Sequence, residues 1–158
     1  MPSVDVKDLD QYIGQDTGVS DWLEITQERV NKFADVTEDH QFIHVDPERA
    51  KQTQFGGPIA HGYLTLSLLS YFSYTGNGLK LNNVAVLINY GSNKVRFLHP
   101  VAVGKRIRAH YKFLGYEEKR QGNILLRNEV TVEIEGVDKP ALIAETLGMV
   151  VVKPAASN

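Results

Sequence analysis

The sequence predicts an α+β domain in which antiparallel strands cover a long central helix, as a curved sheet wrapped around it or as another α+β sandwich. Three observations predict it. Helical patterns fill the first half of the chain and long strand-like runs the second, the order of an α+β protein rather than of repeated βαβ units. Residues 62–74 are apolar or small hydroxyl side chains with no charge on any face, the composition of a centrally buried helix. Four strand-like runs follow, and a helix that is apolar all round needs such a surface to cover it. At about 1.5 Å per residue the helix spans roughly 20 Å, enough to cross a domain and too short for a bilayer.

Each element has its own signal. Residues 4–14 mix acids with Val6, Leu9, Tyr12 and Ile13 and predict a short helix closed by Gly14. A first strand is expected over Val19 to Ile25. Thr26 is a suitable N-cap for a helix over Gln27 to Thr37, where Val30, Phe33, Ala34 and Thr37 fall at i, i+3, i+4, i+7 and make one core-facing stripe. Asp39 therefore emerges just beyond a helix end. Asp46-Pro47 reads as an N-cap with proline at the first helical position, starting a short helix through Ala50 and Lys51. Phe55-Gly56-Gly57-Pro58 is a loop before the central helix. Val84 to Tyr90 is a continuous apolar run that Lys94 to Phe97 extends past a bulge at Gly91. Ile107, Ala109, Tyr111 and Phe113 alternate with polar residues, as do Ile124, Leu126, Val130, Val132 and Ile134. A turn over Gly136 to Pro140 and a last strand over Leu142 to Val152 follow, then a small polar tail from Pro154.

Composition sets outer limits. The 158 residues suit a single domain, 1–158, and the 42% apolar and 23% charged fractions are those of an ordinary globular protein. A net charge of −2 without a basic tract gives no general affinity for nucleic acid. The absence of cysteine excludes disulfides, thiolate catalysis and cysteine-based zinc sites. Met1-Pro2-Ser3-Val4-Asp5 lacks the basic-then-apolar pattern of a signal peptide, and no apolar run reaches the roughly 18 residues of a membrane span. A cytoplasmic protein with no membrane partner is expected.

Chemistry concentrates between Asp39 and Gly62. Asp39 and His44 pair a carboxylate with an imidazole, which in one cleft can share a water, one removing a proton while the other donates one. Gly62, at the start of the apolar helix, offers an unhindered N–H backed by the helix dipole to developing negative charge. His61 reads as a hydrogen-bonder fixing the turn, and Ser70, eight residues beyond Gly62, as a hydroxyl able to orient Asp39. His40 and His44 lie at i, i+4, yet Gln41 stands where a zinc protease motif has glutamate and no third ligand is evident. No metal site is expected.

Phe33-x5-Asp39-x4-His44, with Asp46-Pro47 and Ala50 following, resembles the signature of the MaoC-like dehydratases, the R-specific enoyl-CoA hydratases of hotdog fold. Pro58-Ile59-Ala60-His61-Gly62 resembles their second motif, and Arg96-Phe97-x2-Pro100-Val101-x2-Gly104 is similar to a strand-and-turn segment of the family. The commoner form has Gly-Asp-x-Asn-Pro. Here Glu38 precedes Asp39, and Gln41 and Phe42 replace Asn and Pro, a variant that looks like the NodN-like branch.

The resemblance implies reversible syn hydration of a trans-2-enoyl-CoA to an (R)-3-hydroxyacyl-CoA, a reaction of fatty acid metabolism. Asp39 and His44 would activate the water, with Asp39 the expected base and His44 the expected acid, although one shared water couples the two roles. The Gly62 amide would be the oxyanion donor and Ser70 the support of Asp39, while Gln41, Tyr90 and Asn93 would contact substrate. Lys94 and Arg96 are candidates to meet the anionic CoA. No cofactor is implied, CoA thioester being the substrate, and a homodimer is. A hotdog thioesterase would share fold and substrate but usually needs an acidic residue on or beside the central helix, and residues 62–74 contain none. An acyl-CoA or acyl-carrier binding module without turnover is the non-enzymatic alternative.

Overall fold

A computed structural model describes residues 3–120 and 122–153. The expected polar tail from Pro154 lies outside them. The chain runs β1 (Ser3–Val4), a 3-10 helix (Val6–Tyr12), β2 (Asp16–Val19), β3 (Leu23–Glu24), α1 (Gln27–Thr37), α2 (Phe42–Val45), α3 (Pro47–Ala50), α4 (Gly62–Thr75), β4 (Lys80–Leu81), β5 (Val84–Phe97), β6 (Arg106–Arg120), β7 (Asn123–Ile134) and β8 (Val137–Val152). Strands β2-β6-β7-β8-β5 form one antiparallel sheet, β3 also pairing with β6, while β1 and β4 form a small parallel pair.

The sheet curls around α4. Register shifts in the β5–β8 ladder at Asn89/Gly91 and Ser92/Lys94 insert extra residues that bend the strand, the first at the expected bulge. Leu64, Leu68, Leu69 and Phe72 of α4 are buried against Ile107 of β6, Val132 of β7 and Leu142 of β8. The Tyr111 hydroxyl donates to the Leu69 carbonyl at 3.3 Å and ties β6 to the helix. Its burial pushes the phenol well above its ordinary pKa.

Several elements differ from expectation. The first predicted strand is split, because the chain leaves the ladder at Asp21 and Trp22 between β2 and β3, while the Ser20 amide still donates to Ala109 at 2.9 Å. The short N-terminal helix is present as expected, in 3-10 form, and closes at Gly14, whose φ of +79° only glycine adopts freely. Thr37 is exposed rather than core-facing, its hydroxyl bonding back to the Phe33 carbonyl. The β7–β8 turn needs only Glu135 and Gly136 (φ +71°), so Val137 to Pro140 belong to the strand.

Helix α4 is also not covered on every side. Tyr63, Tyr71 and Tyr74 are exposed, and so are Val86, Leu87, Ile88 and Tyr90 of β5. Strand β5 is an edge of the sheet, and an edge of 14 residues with this much apolar surface is a template for further pairing. No helix among the described residues is long and apolar enough to cross a membrane.

Candidate active site

Helix α1 begins at the expected cap, the Thr26 hydroxyl accepting from Arg29 N at 3.2 Å, and ends where Glu38 turns left-handed (φ 60°). That reversal releases Asp39. The chain then makes a single turn not foreseen in the sequence, α2, which carries His44 on its buried side. Gln27 Nε2 donates to the His44 carbonyl at 2.7 Å and fixes this turn to α1. Asp46 caps α3 as expected, accepting from Arg49 N at 3.1 Å.

His44 Nδ1 lies 2.7 Å from the Ile59 carbonyl. A carbonyl only accepts, so the proton sits on Nδ1 and Nε2 carries the free lone pair. Burial lowers the His44 pKa below its ordinary value. The bond to Ile59 and the Asp39 carboxylate oppose that shift without cancelling it, and the neighbouring His61 adds to it. His44 is therefore held neutral at pH 7.

The second motif closes on the first. The Ile59 amide donates to Ile43 at 3.0 Å, and the Ala60 amide to Val101 at 2.8 Å. His61 stacks on His44 with ring centroids 3.8 Å apart and planes inclined by 26°. Its Nε2–H donates to the Asp39 backbone carbonyl at 2.9 Å. Gly62 then opens α4, so its N–H has no carbonyl partner within the helix. The Phe97 ring packs over it: a Cβ at position 62 would lie 3.0 Å from Phe97 Cδ1.

A cleft of about 270 Å³ opens here, bounded by His44, Gly62, Thr65, Phe55, Phe97 and His99 among others. Its walls are mainly apolar, and the imidazole of His44 and the N-terminus of α4 face the same space. Such a site can hold a small apolar group beside a base while one backbone amide meets an oxygen.

Asp39, His44 and His61 bring potential ligand atoms within 4.8 Å of one another. The arrangement does not fit a shared ion. A metal binds imidazole in the ring plane, and two nearly parallel rings stacked face to face cannot both aim a lone pair at one point. His40 is engaged elsewhere, with Asp35 at 3.0 Å.

Of the sequence-predicted residues, His44 and Gly62 line the cleft, and Asp39 lies beside His44, within 4.8 Å, without lining it. Asp39 is exposed, with Gln41 N 3.4 Å from its Oδ1. Gln41 contributes this backbone amide, and its exposed side chain does not line the cleft. Ser70 does not reach Asp39. It is exposed on α4, about 12 Å along the axis from Gly62. Tyr90 is exposed on the β5 edge, and Asn93 donates to Glu145 at 2.7 Å, so neither lines the cleft within one chain. Val95 packs on the core and Phe97 on Gly62, so strand alternation puts Lys94 and Arg96 on the opposite face.

Sequence reasoning missed Phe55, Thr65, Phe97 and His99. Thr65, three residues past Gly62 and therefore on the same helix face, was the one with a usable signal.

The family described as "MaoC like domain" matches residues 8–134. A 3-hydroxyacyl-thioester dehydratase Z of Mycobacterium tuberculosis is 50% identical over 145 residues, covering 90% of this chain and 93% of that protein. Nodulation protein N of Rhizobium meliloti is 41% identical over 155 residues, covering 98% and 96%. Among solved structures, the R-hydratase PhaJ1 of Pseudomonas aeruginosa superposes with a TM-score of 0.67 at 25% identity, covering 89% of this chain and 83% of that one. With the curved sheet, the central helix and both motifs in place, the chain belongs to the MaoC-like dehydratase family and has its hotdog fold.

Proposed function

We propose that the protein, residues 1–158 acting as one domain, reversibly hydrates trans-2-enoyl-CoA to (R)-3-hydroxyacyl-CoA. The observation that carries this is a neutral His44 with an unpaired Nε2 that shares one apolar cleft with Gly62, the first residue of α4, and has the Asp39 carboxylate within 4.8 Å. The relative named as a 3-hydroxyacyl-thioester dehydratase and the neighbour named as an R-hydratase support the reaction class and its hand.

The chemistry follows from protonation states. In the thioester the β-carbon is electrophilic. Water oxygen bonds to Cβ as an O–H proton passes to His44 Nε2, and the C=C electron pair moves onto the thioester oxygen as an enolate. The Gly62 N–H, at the positive end of the 14-residue α4, meets that charge. The imidazolium then returns the proton to Cα on the same face, which makes the addition syn. Asp39 orients the water and stabilises the transient cation. The sequence favoured Asp39 as base. The buried, neutral state of His44 favours His44 as the base toward water, and its imidazolium as the acid toward Cα.

A second copy pairing at β5 and covering the open face of α4 would complete a homodimer. The exposed apolar edge and tyrosines support it, and Ser70, Tyr90 and Asn93 are exposed on this helix and strand.

Crotonyl-CoA incubated with the protein loses its enoyl-thioester absorbance without releasing thiol, and the alcohol is the (R) isomer. Release of free CoA instead would identify a thioesterase. No reaction of enoyl groups on CoA would overturn the proposal.

The pH profile is a separate expectation. A histidine base with a lowered pKa stays active as pH falls through about 6.5, the ordinary value. Hydration kcat/KM is therefore level near neutrality and falls tenfold per unit only below that value. An acid limb centred above 7 would contradict a neutral His44.

A further inference from the structure

We infer that His61 is the positioning residue of the pair: its single imidazole holds the Asp39 backbone and the His44 ring together and joins both to Gly62. The inference rests on the proposed hydratase reading and deepens it.

Three contacts carry it. His61 Nε2–H reaches back 22 residues to the Asp39 carbonyl at 2.9 Å, so the segment bearing the carboxylate is held by the second motif. The His61 ring lies face to face with His44 at 3.8 Å, while Phe33 of α1 packs against it at 5.0 Å, tilted by 52°. The next residue is Gly62, first of α4. A shift of this one ring therefore moves base, carboxylate and oxyanion donor together. His61 is 2% exposed, so the ring has no room to take another orientation.

A plain hydrogen-bonding role leaves one atom unexplained. His61 Nδ1 is buried with no hydrogen-bond partner among the described residues. Glutamine would supply the same N–H to Asp39 without that buried ring nitrogen. What glutamine lacks is the aromatic face against His44. The neighbouring His61 lowers the proton affinity of His44. The charged and titratable groups that act on His44 are Asp39 and His61, with the uncharged Ile59 carbonyl on Nδ1. His99 stands on the wall of the same cleft.

Two substitutions separate the parts of this role. His61→Phe keeps a flat ring beside His44 and removes the donor to Asp39. Its kcat is expected to fall at least 30-fold, with KM within about threefold, because the reacting groups are displaced while the apolar cleft is kept. His61→Gln keeps the donor and removes the second imidazole. It recovers most of that kcat, while the acid limb of kcat/KM moves to higher pH as His44 regains proton affinity. Thermal melting of both variants distinguishes folded from unfolded protein, and glutamine is the variant that keeps the donor if phenylalanine does not fold.

A readout independent of turnover is NMR titration of the His44 ring. Its midpoint rises in His61→Gln, and Nδ1 remains the protonated nitrogen in the parent. If the parent hydrates no enoyl thioester, the functional reading fails and the titration still decides the inference. An unchanged His44 midpoint in His61→Gln, or a His61→Phe protein with parental kcat and pH profile, would overturn it.

Discussion

Asp39→Asn and His44→Asn each lower kcat for enoyl-CoA hydration by about 1,000-fold, within the range expected when a positioned acid or base is lost. Asparagine is the informative replacement at both positions. At 39 it keeps the size and polarity of the carboxylate while removing the charge that steadies an imidazolium. At 44 it can keep the N–H that reaches the Ile59 carbonyl at 2.7 Å, so the backbone bond survives while the Nε2 lone pair is lost. The double variant is expected to be little worse than either single one, because residues that act on one water fail as a unit. Steady-state kinetics at saturating crotonyl-CoA measure this. Near-parental turnover in either single variant would remove that residue from the chemistry.

Phe72→Ala destabilises the fold by about 3–5 kcal/mol, the cost of emptying a fully buried aromatic site. For a domain of this size that is a fall of roughly 10 °C in melting temperature. Phe72 has no exposed surface and lies in the stretch of α4 enclosed by the curved sheet. The loss should also appear in catalysis, since Gly62 is placed by the same helix. Val36→Ala, on an exposed face of α1, serves as the comparison and changes stability by about 0.5 kcal/mol or less. A melting temperature for Phe72→Ala within 3 °C of the parent would mean that α4 is not the centre of the core.

Elements governed by local rules were legible in the sequence. Thr26 and Asp46 cap their helices because a side-chain oxygen beside a free amide is a short-range matter. The alternation through Ile107, Ala109 and Phe113 gave the buried face of β6 directly. What escaped depended on distant partners. Asp21 and Trp22 look like strand residues, yet they leave the ladder where β2 gives way to β3. The exposure of Tyr63, Tyr71 and Tyr74 depends on which side of α4 the sheet leaves open, and helix composition carries no record of that.

The site divides in the same way. Asp39, His44 and Gly62 stood out because their residue types and spacing form a motif, and the fold brings them together. Tyr90 and Asn93 were placed by resemblance alone and Ser70 by its distance along the helix from Gly62, and within one chain all three stay outside the cleft. The stacking of His61 on His44 joins residues 17 apart through a loop whose path the sequence does not specify.

The most direct test of the central claim is hydration of crotonyl-CoA in heavy water, with the product's configuration at both carbons read by NMR. One base returning its deuteron to the face from which the oxygen came predicts a single diastereomer, syn at Cα and Cβ with the (R) alcohol, formed about 1,000-fold more slowly by Asp39→Asn or His44→Asn. An anti product, a mixture at Cα, or an (S) alcohol would contradict a single Asp39–His44 site acting on one face of the enoyl thioester.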